Sequence, residues 1–227
     1  MGICEKHIWP ALKLVLSAGT PIQNLVDRGG ETHLFLNDQA AKILFNDKRR
    51  EVFKVIDSYR NFIDLGNLWA DKGWKCFAHY YRPENGNGFI PWISALSECL
   101  SHFNKAVTSW KKGKRQKSMF YLGATAHIVQ DMCVPHHSMG IAFNGHRKFE
   151  VWAMDNKEYF KAENSGLYNK FNNIIEIIDN NSRISKLYYD DVANFDTNRY
   201  IVAARELLPL AQATTACLFD HFFNIAS

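Results

Sequence analysis

Apolar residues recur at helical spacing along nearly the whole chain, and no segment alternates polar and apolar residues for long enough to predict a strand. Residues 32–47 show the spacing of one buried helix face. That face consists of Leu36, Ala40, Ile43 and Leu44. A last long helix is expected over residues 198–223, with a kink at Pro209. The pattern predicts an all-α fold, a single-domain helical bundle.

Proline and glycine residues indicate where the inner helices begin and end. Pro91 stands where a proline favours the first turn of a helix, and Gly113 is expected to end that helix. A second helix is expected over residues 114–131, because Pro135 cannot continue it. Another should begin near His146, after a glycine-containing turn.

Composition excludes several classes of protein. A chain of 227 residues suffices for one domain with a hydrophobic core, and its formal charge of +4 does not argue for a nucleic-acid binder. Five scattered cysteines form neither a disulfide framework nor a CxxC zinc site, so buried free thiols are expected. No segment is long and apolar enough to predict a transmembrane helix.

The N-terminal part differs from the rest, and we divide the chain into an N-terminal segment, residues 1–30, and a main domain, residues 31–227. The segment IWPALKLVLSAG has the composition of a short signal-peptide core, but Lys13 interrupts it. Secretion and a cytoplasmic location therefore both stay open.

Residues 127–150 concentrate side chains that bind metal ions. His127 and Asp131 have the i, i+4 spacing that places both side chains on one helix face, and so have His146 and Glu150. A simple His–Asp hydrogen bond is the alternative for the first pair. Imidazole and carboxylate ligands together favour catalytic zinc over a structural zinc clip.

Pro135, His136 and His137 stand between the two pairs and can reverse the chain there. That reversal would bring one imidazole back toward the paired residues. Spacing alone does not decide which of the two histidines it is.

The stretch FYLGATAHIVQDMCVPHHS, followed by GHRKFE, resembles the signature of the zinc-dependent bacterial phospholipase C family. The segments HYYRPENGNGFIP, LGNLWAD and THLFLNDQAAKILFND are similar to further family segments. They occur in the family's order, so the resemblance covers roughly residues 30 to 160.

The resemblance implies three zinc ions and identifies the residues of this chain that would bind each of them. The implied set is Asp71, His79 and His127 for one ion, Asp131 as the bridge to a second ion that His33 also binds, and His137, His146 and Glu150 for the third. His137 fits the family pattern better than His136, because one residue separates the proline from the ligand. Asp71 is also the implied general base.

The resemblance further implies a phospholipase C, in which a zinc-bound water attacks a glycerophospholipid and releases diacylglycerol and a phosphorylated headgroup. Its partner would be phospholipid at a membrane surface, contacted peripherally by a monomer. A single-strand-specific zinc nuclease and a non-catalytic relative that retains the fold are the alternatives. Aromatic residues near the ligands are candidates for a lipid pocket or for core packing: Trp69, Phe77, Tyr80 and Tyr81.

The N-terminus departs from the family pattern. In the family, the amine and carbonyl of an N-terminal tryptophan complete the zinc site to which His33 corresponds. Trp9 lies too far upstream to do so here. Cleavage after Gly19 would expose Thr20 at a family-like distance from His33, and without it we expect this site to be incomplete.

Overall fold

The computed structural model describes residues 30–90 and 93–226, and within them every regular element is a helix. The α-helices are α1 (Glu31–Asn46), α2 (Arg50–Ser58), α3 (Arg60–Ala70), α4 (Ala95–Lys111), α5 (Arg115–Asp131), α6 (Pro135–Met139), α7 (His146–Asn156), α8 (Ile174–Lys186), α9 (Tyr189–Ala193) and α10 (Thr197–Ala226). Short 3₁₀ helices occupy Gly73–Ala78 and Lys157–Phe160. Extended pairing in this part of the chain is an isolated bridge between Ile90 and Ile93, so the all-α prediction is confirmed.

The prediction that Pro91 opens a helix is wrong, because α4 begins at Ala95. Ser94 caps that helix: its hydroxyl accepts from the Ser97 amide, while the Ser97 hydroxyl accepts from the Ser94 amide. This reciprocal cap satisfies two amides that a helix end otherwise leaves unpaired, and it fixes the start of α4. Pro91 itself lies outside the described residues.

Other predicted boundaries agree with the structure. α5 covers nearly the whole predicted span, and Pro135 begins α6 in the first-turn position that prolines favour. α7 begins at His146, as predicted. α10 includes Pro209 and continues as an α-helix on both sides of it, so the expected kink stays a prediction.

α5 is the central helix and packs against α3 on one side and α4 on another. A methyl group added at Gly66 of α3 would overlap the carbonyl oxygen of Phe120, and one added at Gly123 of α5 would overlap that of Ile63. The missing side chains therefore let the two backbones approach closely. This approach brings Asn67 of α3 beside His127 of α5.

The hydrophobic core surrounds α5 and is closed by α1, α8 and α10. The predicted buried face of α1 is confirmed, because Leu36, Ala40, Ile43 and Leu44 are all buried. Cys99, Cys133 and Cys217 are buried free thiols, as expected, whereas Cys76 is partly exposed. No helix in residues 30–90 and 93–226 has the length and hydropathy needed to cross a membrane.

Candidate metal centre

The structure brings the eight predicted ligands into three groups, and the ligand atoms within each group lie within 4.8 Å of one another. α5 carries His127 and Asp131 in its last turns. The other ligands come from five neighbouring segments: His33 from α1, Asp71 from the residue after α3, His79 from the residue after the 3₁₀ helix Gly73–Ala78, His137 from α6, and His146 with Glu150 from α7. Ligands that are distant in sequence thus converge at one end of the central helix.

Asp131 lies where the group of Asp71, His79 and His127, here the first group, meets the second group, which consists of His33, His127 and Asp131 itself. Its Oδ2 is 2.8 Å from Nδ1 of His79 and 3.2 Å from Nε2 of His127. Its Oδ1 is 3.5 Å from Nε2 of His33. The two carboxylate oxygens therefore face different groups, which is the arrangement that a bridging carboxylate requires.

The residues present fit zinc on two independent observations. Oδ2 of Asp131 is buried and makes no hydrogen bond despite its close ring nitrogens, so these atoms are not arranged as donor and acceptor. Nε2 of His127 and Nδ1 of His79 are 3.3 Å apart. Ligands at about 2.0 Å from a tetrahedral zinc ion are separated by about 3.3 Å, so this spacing suits a shared ion.

The third group consists of His137, His146 and Glu150. Nε2 of His146 is 2.8 Å from Oε1 of Glu150 and 3.2 Å from Nε2 of His137. Nδ1 of His137 donates to the carbonyl oxygen of His79 at 2.8 Å, which leaves Nε2 for the group. This backbone contact also ties the third group to the segment that carries His79.

His136 lies beside this group and takes a different role. Its Nε2 donates to the carbonyl oxygen of Asn144 at 2.9 Å, and its ring stacks on that of His146 at 4.8 Å. The structure thus places His137, not His136, among the converging ligand atoms. His136 instead holds the turn before α7 and supports one face of the His146 ring.

Burial controls the protonation of the imidazole shared by the first two groups. It lowers the pKa of His127 to about 3, against the opposing influence of Asp131, so this ring is neutral at pH 7. Burial alone would raise the pKa of Asp131, but His127 and His137 hold it well below its usual range. A neutral imidazole beside an ionised carboxylate is the state that metal binding requires.

The other imidazole–carboxylate pairs favour a charged ring in the metal-free protein. Burial acts to lower the pKa of His79, but the adjacent Asp131 carboxylate outweighs it and raises that pKa. In the same way, Glu150 raises the pKa of His146 against the effect of burial. Wherever these rings are protonated, zinc has to displace the proton, so its binding there is coupled to proton release.

Asp71 occupies the solvent-facing side of the first group. Its Oδ1 is 4.0 Å from Nδ1 of His79, and 29% of its side chain is exposed, compared with 3% for His79. A carboxylate in this position can contact both a metal ion and a solvent molecule. The geometry therefore allows the two roles predicted for Asp71, which stay predictions.

Of the aromatic residues noted in the sequence, Tyr80 lies closest to the ligands. Its ring centroid is 4.8 Å from that of His137, and it also contacts Phe89, which packs on Phe77. Tyr81 belongs to the hydrophobic core, and Trp69 packs on His102, Phe120 and Tyr121. Tyr80, Phe77 and Phe89 thus form an aromatic wall beside the third group.

A set of buried amides was not predicted from the sequence. Asn37, Asn67 and Gln130 are buried, and Gln130 and Asn67 contact the ligand rings of His33 and His127. The available signal was weak, because each is a single polar residue in a helical segment. Only their convergence in space shows that they surround the metal centre.

The chain matches the family model described as zinc dependent phospholipase C over residues 32–206. Among solved structures, the alpha toxin from Clostridium absonum is similar in fold, with a TM-score of 0.77, 20% identity, and coverage of 88% of this chain and 66% of that one. An alpha-toxin of Clostridium perfringens has a TM-score of 0.72 and 21% identity, covering 86% and 64% of the two chains. These neighbours bear out the all-helical fold.

Two relatives named phospholipase C are more similar in sequence. The protein from Clostridium haemolyticum is 27% identical, over 61% of this chain and 41% of its own length. A protein from Bacillus cereus is also 27% identical, over 78% of this chain and 68% of its own length. The chain spans about half the length of the clostridial relatives it matches. Since the family model covers most of the chain, including every residue of the three ligand groups, the chain belongs to the zinc dependent phospholipase C family.

Proposed function

We propose that this protein is a phosphodiester hydrolase that cleaves glycerophospholipids into diacylglycerol and a phosphorylated headgroup. The observation that carries the proposal is the convergence of three ligand groups at one end of α5, with His127 shared by two of them. Phospholipases C are also the named relatives of the chain. The substrate class follows from that likeness and from the aromatic wall of Phe77, Tyr80 and Phe89, which suits an apolar ligand.

We assign the zinc ions to the three groups as the family resemblance implies, with His33 and Asp131 at the second ion. Bound zinc supplies water with a pKa lowered toward about 7 and positive charge for the phosphate oxygens. Asp71, at the exposed side, accepts the proton of the attacking water. The new P–O bond forms as the bond from phosphorus to the glycerol oxygen breaks, and that oxygen takes up a proton as diacylglycerol leaves.

The chain's own residues contribute position and environment. Asp131 and His127 are almost fully buried and held on a central helix, so their geometry costs little to establish when substrate arrives. Tyr80 lies against His137 and leaves the third group bordered by aromatic rings. A phosphate at the ligand groups would therefore have an apolar surface beside it for part of its lipid.

A panel of three substrates tests the proposal against its alternatives. Zinc-loaded protein is assayed on phosphatidylcholine vesicles, single-stranded DNA and a phosphomonoester, beside Asp71→Asn and a control, Asp57→Asn, whose carboxylate is largely exposed and lies on α2. We expect release of phosphocholine by the wild type and Asp57→Asn, and at least about a hundredfold less by Asp71→Asn. Faster hydrolysis of DNA would favour a nuclease, and no hydrolysis after confirmed zinc loading would favour a non-catalytic relative.

A further inference from the structure

We propose that Gln130 is a positioning residue that fixes which ring nitrogen His33 and His127 present to the metal ions. The proposal concerns a set of buried amides, the amide relay, formed by Asn37, Asn67 and Gln130. It rests on the proposed metal centre but on no particular substrate. Its test measures the tautomers of the two imidazole rings before any metal is added.

Both ligand rings contact the amide relay through the same atom. Nδ1 of His33 lies 2.8 Å from Oε1 of Gln130, and Nδ1 of His127 lies 3.1 Å from Oδ1 of Asn67. Since each amide oxygen only accepts, each Nδ1 must carry the hydrogen. The lone pair then resides on Nε2, which in both rings is the atom nearest to Asp131.

Gln130 connects the two rings. Its Oε1 accepts from Nδ2 of Asn67 at 3.1 Å as well as from His33. The same amide group of Asn67 presents its oxygen to His127. Turning the Gln130 amide over would set a donor against the His33 donor and against Nδ2 of Asn67, and both rings would lose their defined partner.

Two further residues hold the Gln130 amide in this orientation. Its Nε2 donates to Oγ1 of Thr215 at 3.2 Å, and that hydroxyl donates its own hydrogen to the Ala211 carbonyl at 2.7 Å. Its Nε2 also donates to Oδ1 of Asn37 at 2.9 Å. The Thr215 oxygen is left as an acceptor, so it can receive only the NH₂ side of Gln130.

Asp64 fixes the remaining amide. Nδ2 of Asn37 donates to Oδ1 of Asp64 at 3.0 Å, and a carboxylate only accepts. Asn37 must therefore turn its oxygen inward, toward Gln130 and Asn67. Thus a half-buried carboxylate and a threonine, neither of them a ligand, set the direction of every hydrogen bond up to the two rings.

The arrangement has a consequence for the metal-free protein. With Nδ1 protonated, each ring turns the lone pair of Nε2 toward the Asp131 carboxylate and the space for an ion. The alternative tautomer would place a hydrogen on Nε2 of His127 and block that nitrogen from binding an ion. The amide relay opposes it and keeps the lone pairs ready for an ion.

Imidazole nitrogen NMR of the metal-free full chain at a pH of about 8.5, where free imidazoles are neutral, tests this directly. We compare the wild type with Gln130→Met and with Gln39→Met, the same exchange at a buried glutamine of α1 outside the relay. We expect pure Nδ1–H tautomers of His33 and His127 in the wild type and Gln39→Met. In Gln130→Met we expect tautomer mixtures and zinc binding weaker by about 10- to 100-fold.

A folded Gln130→Met with unchanged tautomers would overturn the proposal. Where that variant does not fold, the wild type alone decides, because an Nε2–H tautomer at His33 or His127 would also overturn it. A zinc titration of the same samples tests the metal centre independently of the tautomers. If both rings are Nδ1–H tautomers but their NMR signals do not change when zinc is added, the metal centre is contradicted and the role of the amide relay is supported.

Discussion

Oδ2 of Asp131 lies 2.8 Å from Nδ1 of His79, yet this buried oxygen makes no hydrogen bond. Two buried polar atoms that lie this close without forming a hydrogen bond can be satisfied together by a third group. A cation does so, because it accepts electron pairs from the carboxylate and the imidazole together.

Removal of the Asp131 carboxylate should disturb two ions at once. Because its oxygens face different groups, we expect Asp131→Ala to lower the zinc content from three ions toward one. Metal analysis of dialysed protein gives the count. Asp155→Ala, an exposed carboxylate of α7, is the control that should keep all three. Unchanged zinc content in Asp131→Ala would contradict the bridging role.

Loss of the His33 ring should empty one site and leave the others. His33 belongs to a single group, so we expect His33→Ala to bind two ions instead of three. His221→Ala removes a histidine of α10 that stacks on Phe103 and should leave the count unchanged. If His33→Ala still held three ions, the second site would lie elsewhere.

Chelation of zinc should lower thermal stability. A ligand present at a thousand times its Kd stabilises the folded state by about 4 kcal/mol per site, and for a chain of this size each kcal/mol corresponds to about 2–4 °C in Tm. We therefore expect EDTA to lower Tm by about 8 °C or more. Zinc should restore the loss, and magnesium should not, because imidazole ligands favour zinc. An unchanged Tm would mean that the native state gains nothing from zinc.

Close contact between α3 and α5 should not tolerate a side chain at Gly66. Its added methyl group would overlap the Phe120 carbonyl, so we expect Gly66→Ala to reduce the free energy of unfolding by about 1–3 kcal/mol. Urea denaturation measures the change. The adjacent Leu65 is 56% exposed, and Leu65→Ala should stay within about 0.5 kcal/mol of the wild type. Equal stability of the two variants would contradict the close packing.

The helical architecture could be predicted from the sequence because buried faces repeat with the helix period, as Leu36, Ala40, Ile43 and Leu44 show. The residue at which α4 begins could not be predicted from the sequence. Pro91 suggested an early start, whereas the hydrogen bonds between Ser94 and Ser97 place it at Ala95. Proline only permits a helix start, while a reciprocal side-chain cap stabilises one.

Candidate ligands were also identifiable from sequence, since each pairs with a neighbour at helical spacing or falls on a family segment. The buried amides that contact the ligand rings could not be identified in this way. Asn37, Asn67 and Gln130 lie on three different helices, and the close approach of α3 and α5 at Gly66 and Gly123 brings Asn67 to Gln130. The predicted N-terminal division, Trp9 and the cleavage after Gly19 lie outside the described residues and stay predictions.

The central claim is that three zinc ions are bound by the three ligand groups of this chain. Crystals of the zinc-loaded protein, measured on both sides of the zinc absorption edge, test it most directly. The account predicts three anomalous peaks: one between Asp71, His79 and His127, one between His33 and Asp131, and one between His137, His146 and Glu150. Fully loaded crystals with no peak at these groups, or with peaks held by other residues, would contradict it.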